Sequence, residues 1–301
     1  MNNFLKKLLI FSAIFSIFSI LPVVIINYKL DPYGLITEFS NNYKTEPNLR
    51  SLKNWFVLEN KSNYQHLFFS NSRGGSFVFS DSTYYNMSYS MGVPSQFNQD
   101  IKTILNNGAK IKSVIIMIDE YSIYNKSENH INQPLRKKYK RNDIISFLNI
   151  PLSRTKISSI YSFNEYEKNV VFNIQKDGSY TYNNFYINKK IDTVKTKIPT
   201  LPTIFKTEEV FNDLKQIITY LREKNINISI GVHPISKTNY ENNIEKITQL
   251  KSLINILNKN NIKLFNELVI IDDKNLNSIF FDSVHYSSVL AQQVINQLFI
   301  P

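Results

Sequence analysis

Leu67-Phe68-Phe69-Ser70-Asn71-Ser72-Arg73-Gly74-Gly75 is a short apolar run that stops at a cluster of turn formers. A run of that length, bounded by serine, asparagine and glycine, reads as a buried strand ending in a tight turn. Ser72 then sits just past a rigid strand and just before two glycines. A nucleophile needs that placement: a strand for position, a sharp turn for exposure, and backbone N–H groups close by for an oxyanion.

Working outward, the same alternation continues. Asp100 to Asn106 reads as a helix with Asp100 as its N-cap, closed by Gly108 at C′. Val114-Ile115-Ile116-Met117-Ile118 is a second buried strand. Thr207 to Lys224 is amphipathic, with Val210, Phe211, Leu214, Ile217, Ile218 and Leu221 on one face. Thr207 is placed as its N-cap, with Glu208 and Glu209 in the first turn. Ile226 to Ile230 is a third strand, ending at Gly231-Val232-His233-Pro234. Ile244, Ile247, Leu250, Leu253, Ile254 and Leu257 mark another helix. Ser288 to Phe299 is the last, with Val289, Leu290, Val294, Ile295 and Leu298 inward. Strands alternating with helices predict an α/β domain with a mainly parallel sheet.

Residues 125–205 break that rhythm, and Lys and Arg there far outnumber Asp and Glu. Lys176-Asp177-Gly178-Ser179 between two strand-like segments predicts a hairpin. This stretch reads as an insertion on the α/β core. Its charge suits either a solvated loop or a surface facing an anionic polymer or membrane.

The chain has 301 residues and no cysteine, so disulfides, thiolate metal sites and cysteine nucleophiles are excluded. Any imidazole chemistry must come from His66, His130, His233 or His285. The net charge of +11 suggests an anionic neighbour. Leu8 to Ile26 is apolar on every face, uncharged, and long enough to cross a bilayer. Lys6 and Lys7 precede it, which places the amino terminus in the cytoplasm and the remainder outside. The run ends without a small-residue cleavage site, so an uncleaved anchor is favoured over a removed signal peptide. The expected organisation is a cytoplasmic stub and anchor over residues 1–30 and one domain over 31–301.

Asp282-Ser283-Val284-His285 lies just before the last helix. A carboxylate three residues before a histidine can hold its Nδ1 proton and leave Nε2 free as a base. The same residues also suit a capped helix entry, in which Asp282 only meets nearby N–H groups.

Serine after the first strand, Asp-x-x-His before the last helix, and α/β alternation between them resemble the SGNH (GDSL-type) hydrolase superfamily. The match is carried by Phe69-Ser70-Asn71-Ser72-Arg73 and by Phe281 to Ser287. It is most similar to the membrane-anchored branch, which Asp31-Pro32-Tyr33-Gly34 after the anchor also fits. The alginate O-acetylation proteins and the D-alanyl-lipoteichoic acid biosynthesis protein are more distant relatives of similar plan. The resemblance implies a flavodoxin-like three-layer α/β/α sandwich behind one transmembrane helix. It implies Ser72 as nucleophile, His285 as base and Asp282 as orienter. Gly92 and Asn86 fall to the oxyanion hole, with Arg73 and Asp119 lining the site. His233, at the end of the third strand, points to the same sheet edge as Ser72, where it either lines the site or, the favoured reading, packs as a strand-end histidine.

The sequence departs from the family at three points. Ser70 stands where the first block has glycine, Gly92 matches the second-block glycine only loosely, and Ile118-Asp119-Glu120-Tyr121 replaces the third-block Gly-x-Asn-Asp. The implied activity is that of an extracytoplasmic esterase or O-acyltransferase, in the bacterial periplasm or at the cell surface. Its substrate would be an acyl ester of an envelope glycan or lipid, and its partners the machinery of envelope-polymer biosynthesis. The other reading is a catalytically inactive envelope protein with the same fold, binding an anionic polymer or a protein. No cofactor is implied. No pair or cluster of histidines has metal-ligand spacing, and the anchor argues against a nucleic-acid partner.

Overall fold

The computed structural model describes residues 3–30, 42–43, 47–123, 135–136, 171–183, 206–272, 280 and 284–298. The first element, α1 (Asn3–Leu30), is one continuous helix with Pro22 inside it. Its stretch Asn3–Ile25 has a mean hydropathy of 2.7 and is long and apolar enough to cross a membrane. Phe11, Phe15 and Phe18 on it are exposed, so its apolar surface is not part of the α/β core.

The sheet that positions the site is built from β2 (His66–Phe69), β3 (Tyr84–Asn86), β4 (Ser113–Ile118) and β7 (Asn227–Val232). These four strands are parallel, in the order β3-β2-β4-β7. Their side chains alternate between two hydrophobic clusters. Leu67, Phe69, Val114, Ile116, Ile118, Ile230 and Val232 join one, while Phe68, Ile115 and Met117 join the other. A parallel sheet covered on both faces produces such unbroken apolar runs. Each fully buried side chain of this size contributes roughly 1.5–3 kcal/mol.

One face is covered by α2 (Leu49–Glu59), α3 (Pro94–Asn106), α4 (Thr207–Glu223) and α6 (Ile244–Lys259). The other receives α7 (Ser288–Leu298) through Leu290, Ala291, Val294 and Ile295. The short α5 (Lys237–Asn242) precedes α6. β8 (Ile235–Ser236) pairs in parallel with β9 (Ile270–Ile271), and Leu264 bridges to Ile230.

The predicted hairpin is present, as β5 (Val171–Ile174) and β6 (Tyr180–Asn183), with β1 (Asn42–Tyr43) on its edge. Gly178 takes φ +82° at its turn, a conformation that L side chains rarely adopt. The Asp177 carbonyl accepts the Asn86 N–H at 2.7 Å, so the turn docks on the end of β3. Lys53 of α2 is wholly buried, donates to the Ser88 carbonyl and lies 4.7 Å over the Tyr180 ring. Burial pushes its ammonium pKa well below the usual value. Apart from this hairpin and residues 135–136, the basic insertion lies outside the described residues.

Some sequence expectations are corrected. Asp100 is not a cap: α3 starts at Pro94, and Asp100 is buried against Arg50. Lys206, not Thr207, stands at the N-cap position of α4 without a side-chain capping bond, and the Thr207 hydroxyl donates to Gln249 Oε1 at 3.0 Å. Val289 is exposed, because it stands one residue off the stripe formed by Leu290, Ala291, Val294 and Ile295. Gly108 does follow α3 with φ +86°.

Candidate active site

β2 lies between β3 and β4, so the chain leaves its carboxyl end toward one neighbour and later returns on the other side. In open α/β sheets a crevice forms at that switch point. Ser72 opens the five-residue 3₁₀ turn Ser72–Ser76 there. The turn is 3₁₀ rather than the start of an α-helix, so no long helix dipole points at Ser72. Asn71 caps it: its side-chain oxygen accepts the Arg73 N–H at 3.0 Å, and its carbonyl accepts the Gly74 N–H at 3.0 Å. A Cβ on Gly74 would come within 2.4 Å of both Ser70 Cβ and Ser88 Oγ, so this close approach requires glycine.

His285 comes from the loop before α7. Its Nε2 lies 2.9 Å from Ser72 Oγ, and both side chains are half-buried. The loop is pinned by an antiparallel bridge between Phe280 and Tyr286. Asp282, the expected orienter of His285, lies outside the described residues, as does the Asp31-Pro32-Tyr33-Gly34 segment.

Beneath this pair is a buried polar network. Arg73 is 1% exposed and meets Glu120 with both guanidinium arms, Nη1 to Oε2 at 2.9 Å and Nη2 to Oε1. Its Nη1 is also 3.4 Å from Asp119 Oδ2. Burial works against this charge, but the Glu120 and Asp119 carboxylates outweigh it and hold the guanidinium above its ordinary pKa. Asp119 directly follows β4 and accepts from Asn71 Nδ2 at 2.5 Å, from the Tyr121 and Ser122 N–H groups, and from the Ser122 hydroxyl. Burial would raise its carboxyl pKa, yet Arg73, His233 and these donors bring it below the usual value. Asn239 of α5 donates to Glu120 and is itself held by Asn243.

His233 is fully buried at the end of β7. Its Nε2 is 2.6 Å from Ser70 Oγ, and its Nδ1 is hydrogen-bonded to the Tyr286 hydroxyl. Burial pushes its pKa down to about 3; Asp119 opposes that, while Arg73 and His285 add to it. The ring is therefore a neutral imidazole.

Neither a protein-family model nor a curated protein matches the chain. The site therefore stands on its own geometry.

The structure brings Ser72 and His285 together. Arg73, His233 and Asp119 surround the site, but from below: all three are buried and none lines an opening. The oxyanion assignments are corrected. Gly92 lies against the end of β2, where an added Cβ would stand 3.0 Å from the Ser70 carbonyl, but its N–H already donates to the Tyr89 carbonyl at 3.2 Å. Asn86 donates its amide to the Gly74 carbonyl at 2.7 Å and the Phe77 carbonyl at 2.9 Å, while its oxygen accepts the Ser88 N–H. Asn86 braces the turn, and Gly92 packs beside the strand end that leads into it. Glu120, Ser70 and Tyr286 were given no role in the site from the sequence. Only Glu120 had a readable signal, as a second acidic residue at the carboxyl end of a buried strand.

Proposed function

We propose that the chain is an SGNH-like serine esterase or O-acyltransferase, held at a membrane by α1, acting on an acyl ester of an envelope glycan or lipid. The observation that carries this reading is the 2.9 Å contact of Ser72 Oγ with His285 Nε2 at the carboxyl end of β2. That distance is within reach for a nucleophile and its general base. The strand order β3-β2-β4-β7, which in chain order of these four strands is 2-1-3-4, supports a flavodoxin-like sheet. Helices on both its faces support the three-layer sandwich. The basic composition and the apolar α1 support an extracytoplasmic domain beside an anionic envelope.

In this mechanism His285 Nε2 takes the Ser72 proton as Oγ attacks the ester carbonyl. The Ser72 N–H, at the head of its turn where no intrahelical acceptor exists, faces the developing oxyanion. His285 returns the proton to the departing alcohol, leaving an acyl-serine. Water, or a sugar hydroxyl, then attacks it with His285 again as base. A fluorophosphonate probe should label the wild-type chain and not Ser72→Ala. Equal labelling of the two would end the catalytic assignment.

One observation favours a second reading. With the Gly92 N–H and the Asn86 amide committed elsewhere, a second oxyanion donor is not evident among the described residues. A catalytically inactive envelope protein of this fold, binding an anionic polymer or a protein, would tolerate that. Such a protein would leave the probe unreacted.

A further inference from the structure

We infer that His233 is a positioning residue that locks the nucleophile and base segments together, through Ser70 on one side and Tyr286 on the other. The inference rests on the serine-ester reading of Ser72 and His285. Ser70 stands two residues before Ser72, and Tyr286 follows His285 directly. The two segments are far apart in sequence, yet one ring hydrogen-bonds both. Imidazole suits this bridge. In its neutral form it offers one donor and one acceptor, and each hydroxyl can take either role. A hydrophobic side chain of the same size would leave both hydroxyls buried without that partner.

The bridge is not itself a second catalytic pair. Ser70 and His233 are fully buried, and Tyr286 is 1% exposed, so no substrate reaches Ser70. Phe77 packs edge-on against the ring at 5.9 Å, and Asp119, Arg73 and His285 are the charged or titratable groups that act on it. Ser70 is also tied sideways, since its carbonyl accepts the Tyr89 N–H at 3.2 Å. Loosening the bridge therefore lets the Ser72 turn and the His285 loop move relative to each other. A misplacement of about 1 Å between reacting groups costs roughly a hundred-fold in rate.

The test uses the full chain in detergent micelles. Fluorophosphonate labelling rates are measured for Ser70→Ala, Tyr286→Phe, their double variant, His233→Gln and His233→Leu. Ser70→Ala and Tyr286→Phe should each slow labelling by roughly ten- to a hundred-fold. The double variant should be no slower than the worse single one, because both break the same bridge. His233→Gln keeps a donor group and an acceptor group and should retain more activity than His233→Leu. Unchanged labelling in both single variants, or effects that multiply, would overturn the inference. If the wild-type chain itself is not labelled, the ester reading fails and the bridge is judged on ring ¹⁵N signals of His285. These should move in Ser70→Ala, which has no hydrogen bond to His285. Identical His285 signals in that variant and the wild type would reject the bridge.

Discussion

A histidine buried between two hydroxyls has nothing to gain from a second proton. Burial takes His233 from 6.5 down to about 3. Between those values the unfolded chain binds a proton that the native ring does not. Its contribution to stability is therefore complete above about pH 6.5 and disappears as pH falls toward 3, with a slope of about 1.4 kcal/mol per unit at most. Asp119, whose pKa is also lowered, adds a loss of the same sign in stronger acid. Asp100, whose carboxyl is raised to about 6, acts in the opposite sense over part of this window, so the readout is a comparison. As pH falls, the urea midpoint of the wild type should drop relative to that of His233→Gln, each measured against its own neutral value. Parallel curves for the two proteins would show that His233 is not the group responsible. None of this was legible in the sequence beyond the placement of His233 at a strand end. The Ser70–His233 and His233–Tyr286 bonds join distant residues, and such contacts leave no local pattern. Ser72 and His285 were legible because each stands at a boundary the sequence marks clearly, a strand meeting glycines and a loop meeting a helix.

Packing between elements shows a similar divide. The apolar faces of α4 and α6 follow their 3.6-residue period and were readable residue by residue. The join between α2 and α3 was not. Arg50 of α2 donates Nε to both oxygens of Asp100, at 2.8 and 3.1 Å, and Nη2 to Gln99 Oε1 at 2.7 Å. Tyr89 donates its hydroxyl to the same carboxylate at 3.0 Å. An aspartate near a helical pattern is read as a cap by default, and only the tertiary partner reveals otherwise. Burial raises the Asp100 carboxyl to about 6 even though Arg50 and its hydrogen bonds pull the other way. A raised carboxyl contributes stability in acid and loses it as pH rises from 3.8 through the folded value. Arg50→Met would leave Asp100 buried without its main counter-charge. At pH 7.5 the loss should be about 3–5 kcal/mol, because one partner of a buried pair has been removed. Near pH 5 the loss should shrink, since Asp100 can then be neutral. Chemical denaturation at the two pH values measures the difference. An equal penalty at both would mean that Asp100 does not titrate in this range.

At the scale of the whole chain, the two-sided sheet follows from the apolar runs of β2 and β4, whose side chains enter both hydrophobic clusters, and α1 follows from a run with no polar stripe. An amphipathic helix could join the core through one face. Asn3–Ile25 is long and apolar enough to cross a membrane, and none of it is buried against the sheet. Lys6 and Lys7 sit at its start and set the expected direction, with the α/β domain on the far side from the cytoplasm. The protein should therefore resist extraction by alkaline carbonate. In right-side-out vesicles an added protease should digest the domain, and in inverted vesicles it should not. The purified chain should keep its full 35.2 kDa mass. A product shortened by the apolar segment and released by carbonate would mean that the segment is a cleaved signal. The reverse protease pattern would place the site on the cytoplasmic side, where an ester of an envelope glycan is not the substrate it would meet.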